Sequence, residues 1–113
     1  MTEAYNTVLE AVNALNEKKA ADPVVIDISG ISIMADYFVI ATGKNVNQLQ
    51  AMCENVRNKL AKKGIMPRQT EGYDTANWIL MDYGDVIIHI FDEESRSFYD
   101  LERIWSDGKD VAI

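Results

Sequence analysis

The sequence holds one cysteine, one histidine, two prolines and six glycines. A lone Cys53 excludes an internal disulfide framework and any cysteine-cluster zinc site, and it fits a reducing, cytoplasmic compartment. A lone His89 excludes a paired-histidine metal site. Long apolar runs are missing too. The longest stretch without a charge is nine residues, Asn45 to Cys53, whereas a membrane helix needs about 20. The start, Met1-Thr2-Glu3-Ala4-Tyr5, has neither the basic-then-apolar pattern of a signal peptide nor the arginines of a transit peptide. Positive charge is in deficit: eleven Lys and Arg against eighteen Asp and Glu give −7, which argues against a general nucleic-acid binder. There is no GxGxxG or GxxxxGK[ST] phosphate cradle, no GxSxG elbow and no Asp-x-Asp.

What remains is ordinary globular material, 48% apolar and 26% charged over 113 residues. That suits one domain over 1–113, without repeats or linkers. The charge is unevenly spread. Residues 44–70 carry six basic side chains and one acidic; residues 71–113 carry eleven acidic and three basic. Such a split could orient a partner electrostatically, or it could be two solvated faces.

Apolar spacing predicts a helix over 3–19, with Thr2 as its cap and Tyr5, Val8, Leu9, Val12 and Leu15 as its stripe. Asp22-Pro23 breaks the chain. Val24–Ile28 and Tyr37–Ala41 read as strands buried on both faces. Residues 46–63 form the clearest helix, opened by Asn45 with Gln48 and closed by Gly64. Cys53 sits on its apolar stripe, which reads as core. A short strand fits 65–70, and Glu71–Asp74 a loop. Gly84-Asp85 between two apolar runs signals a hairpin, Trp78–Tyr83 with Val86–Phe91. Asp92-Glu93-Glu94 suits a helix start, and Phe98, Leu101, Ile104 and Trp105 give a helical stripe over 95–105. Residues 106–113 read as a frayed tail. The fold class is therefore α/β: a small single domain with a mixed sheet and flanking helices.

The hairpin turn fixes a register in which Trp78 faces Phe91, Leu80 faces His89 and Asp82 faces Ile87. One face then holds Ile79, Met81, Tyr83, Val86, Ile88 and Ile90 and packs on helices. The other mixes Trp78, Leu80, Asp82, Ile87, His89 and Phe91. It is the candidate site. Asp82 and His89 are diagonal neighbours within about 7–8 Å, a spacing that suits a hydrogen-bonded pair. Trp78 fits either a core edge or an interface anchor; Trp105 fits the core.

Three blocks look familiar together: Asp36-Tyr37-Phe38-Val39-Ile40-Ala41-Thr42-Gly43; Glu71-Gly72 followed by the run Trp78–Phe91; and Arg96 with Phe98-Tyr99-Asp100-Leu101-Glu102 and Trp105. Over about residues 3 to 105 the chain resembles the ribosomal silencing factor, or Iojap-like, family. The resemblance implies a core similar to that of nucleotidyltransferases but without catalysis, cofactor or metal. It implies binding to the large ribosomal subunit through the universal ribosomal protein numbered fourteen. It also implies a block to small-subunit joining that lowers translation when nutrients are short, and homodimers. The partner-binding face would comprise Trp78, Leu80, Asp82 and His89, with Glu71, Tyr99 and Glu102. One position departs from the pattern: Asn47 stands where the family carries Arg, and nearby Lys44 lacks a bidentate guanidinium. The rival expectation is a metal-dependent nucleotidyltransferase-like enzyme or phosphohydrolase using Asp27 and Asp82. A third, RNA chaperoning, draws only on the basic segment.

Overall fold

β-Branched content decides the centre of the molecule. The structure, a computed structural model, describes residues 3–113; the proposed cap Thr2 lies outside them. Six strands form one sheet: β1 Ala21–Asp27, β2 Tyr37–Gly43, β3 Gln69–Glu71, β4 Trp78–Asp82, β5 Val86–Asp92 and β6 Lys109–Val111. Their order is β3-β4-β5-β2-β1-β6. The central pair, β2 and β5, is parallel, and every other neighbouring pair is antiparallel. Helices α1 (Glu3–Glu17) and α2 (Val46–Ala61) cover one face; α3 (Glu93–Tyr99) and α4 (Leu101–Ile104) lie on the other.

The α1/α2 side holds the larger core. Val8, Leu15, Leu49, Met52, Val56 and Leu60 pack on Val39, Ile79, Met81, Ile88 and Ile90, with Cys53 fully buried among them. Each such aliphatic side chain contributes about 1.5–3 kcal/mol by leaving water. Asn45 caps α2 by accepting from the Gln48 N–H at 2.8 Å, and the Gln48 carboxamide reaches back to the Lys44 N–H. The hairpin register matches the expectation from Trp78↔Phe91 to Asp82↔Ile87. Gly84 turns it at φ 86°, with its N–H held by the Asp82 carboxylate at 2.7 Å.

Four expectations need correction. Residues 106–113 do not fray as a whole: Lys109–Val111 pair with Asp27–Val25 as β6. Gly108 permits this, because a Cβ there would stand 2.6 Å from the Ile26 side chain. Asp22-Pro23 does not end at a strand boundary but lies within β1, where the ladder to β2 shifts between Ala21 and Val24; an irregularity is where a strand tolerates proline. The short strand is only Gln69–Glu71, so Glu71 belongs to β3 rather than to a loop. The last helix is two, broken at Asp100, which adopts a left-handed conformation (φ 48°, ψ 50°). That break keeps Leu101 and Trp105 against the sheet and turns Phe98 and Ile104 outward, 78% and 63% exposed.

Candidate functional site

After β5 the chain enters α3 through Asp92, whose carboxylate caps the Ser95 N–H at 2.7 Å. Helix α3 then packs on β5 and β2. This return covers the middle of the sheet and leaves the β4 and β3 end less covered. Along β4, Ile79 and Met81 are fully buried beneath α1 and α2, while Trp78, Leu80 and Asp82 alternate onto the other face and stay half-buried. Glu71 pairs with Leu80 across the ladder, so it shares that face, and it is exposed. Tyr99 at the end of α3 is 42% exposed and packs on the Trp78 ring at 4.5 Å; Phe98 meets Tyr99 edge-on at 5.1 Å. The face is thus an aromatic–aliphatic strip with carboxylates along it.

His89 sits beneath this strip, not on it. It is 4% exposed, because the Phe38, Trp78 and Phe91 rings pack around it and α3 folds back over β5, contacts that strand alternation does not reveal. The Trp78 indole N–H donates to His89 Nδ1 at 3.1 Å. Phe38 meets the imidazole edge-on at 4.7 Å and Phe91, itself buried, stacks parallel to it at 6.1 Å. Burial pushes the His89 pKa down to about 4, so the ring is neutral, with its proton on Nε2. Nε2 is buried with no hydrogen-bond partner among the described residues. The Asp82–His89 pair is therefore not formed: the carboxylate serves the hairpin turn and the imidazole serves Trp78.

Glu102 is fixed rather than free. Arg96 Nε donates to one of its oxygens at 2.9 Å and Nη2 to the other at 3.2 Å, while Nη1 reaches Thr42 Oγ1 at 2.8 Å. The Arg96 side chain is only 14% exposed, and this fork ties α3, α4 and the end of β2 together. Arg96 carries no spacing signal for this role; only its place in the segment that resembles the family, six residues before Glu102, marks it. Lys44, Gly43 and Asp22 border the cleft beside this fork, and Asn47 is exposed in the first turn of α2. The loop after β1 also exposes Ile33 and Met34, 105% and 81%, which no periodicity singled out.

Asp27 and Asp82 are not brought together. Two strands separate β1 from β4, so their backbones lie about 14 Å apart at the least. Asp27 accepts from the Ser29 hydroxyl and N–H, and those bonds hold its carboxyl below the usual range. A two-metal or two-carboxylate centre on this pair is excluded by that separation.

The family model described as "Ribosomal silencing factor during starvation" matches residues 1–113. A Bacillus subtilis protein named ribosomal silencing factor RsfS is 40% identical over 98 residues, 87% of this chain and 83% of that one. Its namesake from Halalkalibacterium halodurans is 39% identical over 103 residues, 91% of this chain and 88% of that one. A crystal structure of a Chromobacterium violaceum protein superposes with a TM-score of 0.90 at 28% identity, covering 99% of this chain and 92% of that one.

Proposed function

The chain belongs to the ribosomal silencing factor family, and from that premise we propose that it acts as a cytoplasmic repressor of translation without turning over a substrate. It binds the large ribosomal subunit through the universal ribosomal protein numbered fourteen and sterically blocks small-subunit joining when nutrients are limiting. One observation carries this reading: the less covered end of the sheet, where Trp78, Leu80 and Tyr99 form an apolar strip flanked by Glu71 and Asp82. Half-buried aromatics with a polar rim are the anatomy of a protein-binding patch. Acidic flanks suit a basic protein surface and disfavour bare phosphate. Homodimer formation belongs to the same proposal.

Co-sedimentation with separated ribosomal subunits tests it, alongside subunit reassociation followed by light scattering. The expected result is binding to the large subunit alone with reassociation suppressed. Binding to neither subunit would refute it.

A further inference from the structure

We propose that His89 is a positioning residue for the docking surface: its Nδ1 captures the Trp78 indole N–H and so sets both the pose and the chemistry of the ring offered to the partner. This rests on the docking reading above. The imidazole cannot touch a partner itself, being 4% exposed beneath the strip. It acts on Trp78, a half-buried side chain of the strip. Trp78 donates to His89 at 3.1 Å and lies against Phe91 at 5.0 Å and Tyr99 at 4.5 Å.

Two physical points make this more than packing. An apolar side chain of similar size would fill the same space among Phe38, Phe91 and Trp78. Instead the fold keeps an imidazole whose Nε2 is buried without a partner among the described residues, a choice that costs stability. What the imidazole adds is one acceptor, and that acceptor meets the only donor of the indole. With its N–H occupied, Trp78 presents a ring that cannot donate outward. Such a ring selects apolar groups, not a carbonyl or carboxylate acceptor. A basic protein surface that carries an apolar anchor fits both this ring and the acidic flanks.

The test compares His89→Asn, which keeps an acceptor near Nδ1, with His89→Gln, which carries its carboxamide further out, and with His89→Leu, which has none. Each is made in the full chain. The first readout is the Trp78 indole N–H resonance, assigned by its loss in Trp78→Phe. It should exchange slowly with water in the wild type and in His89→Asn, and rapidly in His89→Gln and His89→Leu. The second is co-sedimentation with large subunits. His89→Leu and His89→Gln should bind about tenfold more weakly, the scale of one neutral hydrogen bond, and His89→Asn within about twofold of wild type. The Asn/Gln split separates positioning from bulk packing and survives if His89→Leu does not fold. Rapid indole exchange in the wild type, or equal binding by folded His89→Gln and wild type, would overturn the inference. A wild type that binds no subunit would sink the docking reading instead, and the indole resonance would still decide whether the lock exists.

Discussion

Trp78 joins the packing of the sheet to the proposed docking strip in one side chain. Its ring rests on Phe91 and Tyr99 and bonds to His89. Trp78→Ala should weaken large-subunit binding by about 2 kcal/mol or more, measured by titrated co-sedimentation of a variant shown to be folded. His89 gives a second prediction, in pH. Its folded pKa of about 4 lies below the unfolded value of 6.5, so the unfolded chain takes up the proton first. The stability this neutral ring retains is complete above about pH 6.5 and is lost as pH falls towards 4, by about 3 kcal/mol in all. Urea melts at stepped pH should show this slope in the wild type, and His89→Asn should lack it. The presence of His89 and Trp78 on one sheet face was legible from the hairpin turn alone. The burial of one and the half-exposure of the other was not, because it depends on where α3 and α4 return.

Among elements, the hairpin was the most legible, since a two-residue Gly-Asp turn leaves one register that sorts apolar from mixed residues. Helices α1 and α2 followed from 3.6-residue periodicity and from Asn45. The break at Asp100 was not legible, because Phe98, Leu101 and Trp105 keep helical spacing across it. β6 was missed because Lys-Asp-Val carries no strand pattern; the partner edge of β1 makes it a strand. The turn before β4 supplies a prediction at this scale. Gly72 has φ 80°, and a Cβ there would stand 2.1 Å from the Trp78 carbonyl oxygen. Gly72→Ala should therefore cost at least the ~1–2 kcal/mol of a left-handed conformation and shift the Glu71–Leu80 pairing, read as a lower urea midpoint. Asp92→Ala removes the α3 cap and should cost about 1 kcal/mol, with faster amide exchange at Ser95 as its signature.

At the scale of the molecule, the charge split read along the sequence is softened in space. Lys59 pairs with Glu17 at 2.6 Å and Lys63 approaches Glu10 at 3.8 Å, so α1 answers much of the basic run on α2. The carboxylates flanking the β4 strip face the solvent side of the sheet. Large-subunit binding should consequently weaken as salt rises, and Glu71→Gln should flatten that salt dependence. The topology has one further consequence, for timing. The two central strands run side by side with Phe38 against Ile87, partners about fifty residues apart along the chain. The hairpin of β4 and β5 closes locally, but the parallel seam waits for everything between to be in place, and such distant pairings close slowly. During synthesis the first half of the chain has no finished sheet to join until β5 has left the exit tunnel. The strip proposed for docking, built on β4, β5 and α3, is therefore assembled only after β5 has emerged, and none of it exists while β1, β2 and α2 wait for their partner strand.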